Sequence, residues 1–197
     1  MSLLNSTRGS LLRITTFTDS GIWTKSNDVG FVVVEVTGLG GFGGPGSSTQ
    51  SGGGGGGGGY TRKTILSSDL GATEDVTVSL FAPLPTSFGS HCQALAGGNG
   101  EAGGTTWSNG GAGGTFGTSS GGDINLFGQS GSKGGTSDAV GGAGGNSPMV
   151  NGAGNPTSSV GGSARSYSGG GGAGGASGGH NGGNPGGGIV VVYEYSL

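Results

Sequence analysis

The sequence predicts a mainly β fold with irregular glycine-rich structure and essentially no α-helix: polyglycine II-type helices packed together and closed by N- and C-terminal β strands. Three observations predict it. Glycine supplies 56 of 197 residues, against a usual share of about 7%. Runs of β-branched and aromatic residues stand near both ends of the chain. Between them, non-glycine residues recur at every third position in several stretches.

In chain order, RITTF (Arg13–Phe17) is a weak strand candidate, followed by SGIWTK around Trp23. FVVVEVTG (Phe31–Gly38) is a strong one, rich in residues that favour the pleated sheet. GGGGGGGGY follows, with eight glycines from Gly52 to Gly59 and then Tyr60. DVTVSLF (Asp75–Phe81) alternates, and its pattern places Val76, Val78 and Leu80 on one face. GIVVVYEY (Gly188–Tyr195) completes the series, and the two strongest strands, near residues 31 and 190, are expected to pair. The glycine array then occupies residues 38–60 and 97–188 of a domain spanning 17–197. Residues 1–16, with Leu3, Leu4, Leu11 and Leu12, form either a docking or oligomerisation segment or an N-terminal strand of the same domain.

The period within GGAGGT, VGGAGGN and GGAGGA is three. That is neither the helical 3.6 nor the strand period of two, and it matches a left-handed extended helix of three residues per turn without internal hydrogen bonds. Every N–H and C=O of such a helix points outward and needs a partner. Water can supply it, which makes a tether, or neighbouring helices can, where glycine lets backbones approach. Ordering glycine costs at least about 1–2 kcal/mol per residue, and a hydrogen bond returns roughly 1 kcal/mol. Many helices anchored by the strands are therefore required.

Composition excludes several function classes. A net charge of −3 with only 9% charged residues speaks against a basic nucleic-acid groove and against a polybasic membrane patch. Collagen would need strict glycine at every third residue, and here there are six prolines and no such register. Cys92 stands alone and reads as a small buried side chain rather than a reactive thiol; His91 and His180 lie far apart, with no CxxC or HExxH near them. No metal and no cofactor is expected. The opening residues hold no apolar run of signal-peptide length, so synthesis in a host cytoplasm without a signal peptide is the expectation.

Gly38, Gly40 and Gly43 imitate a dinucleotide-binding G-x-G-x-x-G after a strand, but PGSSTQSGGGG follows where a helix would have to begin. GQSGSKGGT around Lys133 lacks the order of a phosphate loop. Glu74 and Asp75, adjacent in a strand, point to opposite faces and do not make a catalytic pair. No G-x-S-x-G sits between a strand and a helix. The chain is not expected to be an enzyme.

The order of four features resembles the glycine-rich domains of bacteriophage tail fibres and adhesins. They are FTDSGIWTKSNDVGFVVVEVTGLGGFGG, GGGGGGGGYTRKTILSSDLGATEDVTV, TSFGSHCQALAGGNG and GGNPGGGIVVVYEYSL, covering residues 17–197 nearly throughout. Trp23, Tyr60, Phe88 and Pro185 are its structural positions in this chain. Two departures stand out: Ser26 replaces the usual proline of the opening motif, and SLFAPLP follows DVTV in place of a glycine-rich step. The resemblance implies packed polyglycine helices framed by strands, placement in a virion tail fibre or tail tip, and attachment to the host surface through loops. Its implied partners are other tail or fibre proteins and a host surface polysaccharide or outer-membrane protein, with no nucleic acid. The bulky interruptions of the array are the candidate receptor-binding residues: Trp107, Phe116, Phe127, Met149, Arg165 and Tyr167. Exposed aromatics suit sugar stacking or protein contact; alternatively they plug gaps between helices. A decoration or spacer protein without receptor contact is the alternative function, and an ice-binding protein a further one.

Overall fold

The structure, a computed structural model, describes residues 9–80, 84–104, 110–136, 140–154 and 159–197. Among them lie ten strands: β1 (Leu11–Phe17), β2 (Gly21–Thr24), β3 (Phe31–Thr37), β4 (Tyr60–Leu66), β5 (Thr73–Thr77), β6 (Thr86–Phe88), β7 (Cys92–Ala94), β8 (Ser119–Ser120), β9 (Ile124–Leu126) and β10 (Ile189–Tyr195). A single 3₁₀ turn, Ser67–Asp69, is the only helical element of the described residues. The strands form two antiparallel sheets, ordered β1-β10-β3-β4-β9 and β2-β5-β6-β7-β8. The fold is therefore mainly β, as its sequence predicts.

β3 and β10 pair along their whole length, from Ile189 opposite Thr37 to Tyr195 opposite Phe31. Leu11–Phe17, which includes the end of the 1–16 segment, runs along the other side of β10. Alternation along β3 sends Val32, Val34 and Val36 inward, and β10 sends in Val190 and Val192. They meet Trp23, Val76, Phe88, Cys92 and Ala94 from the second sheet, and Val78 just beyond β5, in one core. Trp23 and Phe88 touch edge to face at 5.6 Å and 64°, a geometry that aromatic quadrupoles favour. Each fully buried valine contributes about 1.5–3 kcal/mol.

One expectation needs correction. DVTVSLF does not run as a strand to Phe81: β5 ends at Thr77, and Leu80 is exposed while Val76 and Val78 are buried. The chain leaves the sheet where the Ser79 amide donates to the side-chain Oγ1 of Thr86 in β6. Phe81 lies outside the described residues.

The glycine segments are joined by backbone hydrogen bonds that change partner with every residue. Gly52, Gly55 and Gly58 donate to the carbonyls of Gly175, Gly172 and Gly169. Gly53, Gly56 and Gly59 donate to Glu101, Gly98 and Leu95, and Gly54 and Gly57 to Ser132 and Gln129. All eight bonds measure 2.7–3.1 Å. The carbonyls of the same run accept in the same rotation: Gly53, Gly56 and Gly59 from Gly44, Gly41 and Gly38; Gly54 and Gly57 from Gly114 and Gly117; Gly52 and Gly55 from Gly142 and Gly145. The run thus stands between six neighbouring segments, and its backbone groups find protein partners rather than water.

Steric contact explains why these eight positions are glycine. A Cβ on any of Gly52 through Gly59 would come closer than 3 Å to a backbone carbonyl of a neighbouring segment; on Gly55 it would strike the carbonyls of Gly41 and Phe42. Positive φ is not the reason, because among described residues only Gly89, Gly121, Gly169, Gly178 and Gly179 of the glycines adopt it.

Candidate binding surface

The outer face of the first sheet meets one end of the glycine array, and most of the predicted binding residues gather at that junction. Two turns build it. In the first, Ser147 and Val150 close a reversal: the Ser147 amide donates to the Val150 carbonyl at 2.9 Å and the Val150 amide to Ser147 Oγ at 3.1 Å. In the second, Ser168 Oγ donates to the Arg165 carbonyl at 2.6 Å. The Ser147 hydroxyl donates to the Ser168 carbonyl, and both serines are buried, so the turns carrying Met149 and Tyr167 are fastened to each other. Tyr167 holds φ at 53°, the left-handed region that few non-glycine residues occupy.

Met149 and Tyr167 then wall a hollow of about 230 Å³ whose other lining residues include Glu35, Tyr60, Val150, Ile189, Val191 and Tyr193. Strand alternation puts Glu35, Val191 and Tyr193 on this face while their neighbours enter the core. The Tyr60 hydroxyl donates to Glu35 Oε1 at 2.9 Å, and the Tyr193 hydroxyl to Glu35 Oε2 at 3.2 Å. Arg62, across the strand pair from Glu35, approaches Oε1 only to 4.0 Å and has a half-exposed side chain. Burial, then the hydrogen bond to Glu35 and its charge, push the Tyr60 phenol up to about 12. Tyr193 is also raised, by burial first and the Glu35 charge second. Both phenols therefore remain neutral donors to the carboxylate.

Beside this hollow, Met149 and Arg165 line a second one with Ala153 and Ser163. Phe127 lines a third with Leu126, Asn146 and Pro148, and it stacks on Phe116 at 5.8 Å and 24°. Phe116, Phe127, Met149 and Tyr167 are 46%, 59%, 55% and 47% exposed, so about half of each stands open to solvent. Trp107 lies outside the described residues. The opposite end of the array is closed by other residues, with Ser47 accepting from Gly178 and Gly46 donating to His180.

Of the structural positions, Tyr60 lines the first hollow. Trp23 and Phe88 are in the core, Tyr60 opens β4, and Pro185 is half-buried before β10. The Trp23 indole N–H donates at 2.9 Å to Oε1 of Glu194, a wholly buried carboxylate. Arg13 Nε donates to the same oxygen at 2.8 Å, and the Ser26 hydroxyl to Oε2 at 2.6 Å. Ser26, at the position where the resembled family has proline, thus serves as a donor to that carboxylate. Cys92 is buried, and burial raises its thiol to about 11. Among the described residues no three His, Cys, Asp or Glu side chains cluster as metal ligands, and no helix is long and apolar enough to cross a membrane.

Sequence reasoning missed Glu35, Tyr193, Ser147, Ser168 and Glu194. One signal was present: FVVVEV and VVVYEY each carry a glutamate inside a β-branched run, where a charge needs a partner. No family model and no curated protein matches the chain.

Proposed function

We propose that the chain is a virion component, the glycine-rich domain of a bacteriophage tail fibre or tail-tip adhesin, in which packed polyglycine II-type helices form a stiff body. It joins other tail or fibre proteins and contacts the host surface, a polysaccharide or an outer-membrane protein, through exposed side chains on its loops. The single observation that carries this reading is the rotation of hydrogen bonds along Gly52–Gly59, whose donors and acceptors turn to a new neighbour at each residue and return after three. That is the bonding a three-residue-per-turn extended helix needs when its neighbours are of its own kind. The exposed group of Phe116, Phe127, Met149 and Tyr167 supports the attachment role, because apolar side chains clustered outside a core mark contact surfaces.

The test is competition. Purified protein added to bacterial cells before the virus should reduce adsorption, and Phe127→Ala with Tyr167→Ala should relieve that block while leaving the protein folded. Absence of any competition by a folded, unmodified chain overturns the attachment role and leaves the spacer reading.

A further inference from the structure

The hollow walled by Tyr60, Tyr167, Tyr193 and Met149 differs in hydrogen-bonding character from the rest of the junction. Its volume of about 230 Å³ is below the range of roughly 300–1,000 Å³ usual for small-molecule sites, so it admits one side chain or one small ring. Its apolar wall is Ile189, Val191, Val150 and Met149, and its one charge is Glu35. Both tyrosine hydroxyls that reach Glu35 have committed their protons to it, so what they and the carboxylate still offer is acceptor capacity. Two more hydroxyls belong to the wall, that of Thr37, a buried residue, and that of the half-exposed Tyr167, so acceptors outnumber donors there. A sugar hydroxyl needs donors as well as acceptors, whereas an ammonium has three donors and no acceptor.

We propose that this hollow is a binding site for a single lysine side chain of a protein partner. The stem lies along Met149, Ile189 and Val191, and the ammonium meets Glu35 among the tyrosine rings. The carboxylate supplies the opposite charge, and the phenol oxygens add acceptors for the ammonium protons. Lysine fits better than arginine. Each Glu35 oxygen already accepts a tyrosine proton, which leaves little room for the paired fork a guanidinium seeks, whereas the ammonium is a compact point charge. Arg62, at 4.0 Å from Oε1, is outside the walls of the hollow and does not occupy it. The site is also preformed: the serine link between the two turns fixes Met149 and Tyr167, and the Tyr167 ring lies against the bare backbone of Gly187, where a Cβ would sit 3.3 Å from it. This inference stands on the hollow and does not depend on the virion reading.

The experiment titrates n-butylammonium, a lysine side-chain analogue, into the full chain while the tyrosine ring resonances are followed by NMR; methyl glucoside serves as the second probe. Butylammonium should move the rings of Tyr60, Tyr167 and Tyr193 and leave Tyr195, which stacks on Phe31. Glu35→Gln should weaken the response by about tenfold or more, and Tyr167→Gly, chosen because glycine accepts the left-handed backbone, should weaken it in a protein with an otherwise unchanged spectrum. The proposal is overturned if methyl glucoside moves these rings and butylammonium does not, if neither probe moves them, or if folded Glu35→Gln responds like the unmodified chain.

Discussion

Glu194 shows how much one residue can hold in a protein with so few charges. Its buried carboxylate takes donors from Arg13, Trp23 and Ser26 and so ties β1, β2 and the segment after β2 to β10. Glu194→Ala strands the indole N–H and the serine hydroxyl, and a loss of about 3–5 kcal/mol in denaturant unfolding is expected. Tyr167 is the opposite case. Its left-handed backbone costs on the order of 1–3 kcal/mol, so Tyr167→Gly should leave the melting temperature unchanged or raise it although an aromatic side chain is removed. Tyr60 makes a pH prediction. Its folded-state value near 12 lies above the ordinary 10, so the folded chain holds the phenol proton more tightly than the unfolded one. That contribution is whole below pH 10 and is lost as pH rises toward 12. Stability measured across that window, beside the ultraviolet absorbance of the phenolate, should fall as Tyr60 ionises. Cys92, buried and raised to about 11, should resist aromatic disulfide reagents until the protein unfolds.

At the scale of elements, the glycine runs make the sharpest comparison. Gly55→Ala and Gly162→Ala are the same chemical change, yet a Cβ at 55 strikes two backbone carbonyls while one at 162 meets only ordinary contacts at 3.8 Å. The first should lower the melting temperature severely, and the second should leave it unchanged or raise it slightly by restricting the unfolded chain. Equal effects at the two positions would contradict the packing of the central run. Which elements were legible follows from the same physics. β3 and β10 announce themselves because valine after valine suits a strand buried in a sheet interior. β4 was missed: its inward positions include Thr61 and Lys63 beside Ile65, so no apolar alternation marks it. β6 to β9 are two or three residues each, too short for any period to register. The binding surface was legible as a set of bulky interruptions, but its assembly was not, because the pairing of Met149 with Tyr167 depends on the hydrogen bond between Ser147 and the Ser168 carbonyl.

For the whole molecule, the array and the sandwich are expected to unfold as one cooperative body. Glycine segments bury few side chains, and their hydrogen bonds only marginally offset the backbone entropy lost. They are held by the core around Trp23, Val34 and Phe88. Calorimetry should therefore record a single unfolding transition, and Val34→Ala, in the sandwich, should lower it for both parts together. The sequence carries the period and the anchors of this arrangement. It does not carry the map of neighbours, since Gly52–Gly59 bonds with segments from Gly38 to Gly175 and identical glycines give no sign of which partner each will meet.

β3, β4 and β10, three adjacent strands of one sheet, each continue directly into a glycine segment: Thr37 into Gly38, Gly59 into Tyr60 and Gly188 into Ile189. No turn intervenes where sheet becomes array. A force applied along these strands is therefore carried in shear, shared among many parallel hydrogen bonds, with no hinge at which they could fail one after another. In the proposed attachment role, where a particle held to a cell is dragged by flow, resistance to tension along this axis would matter as much as affinity.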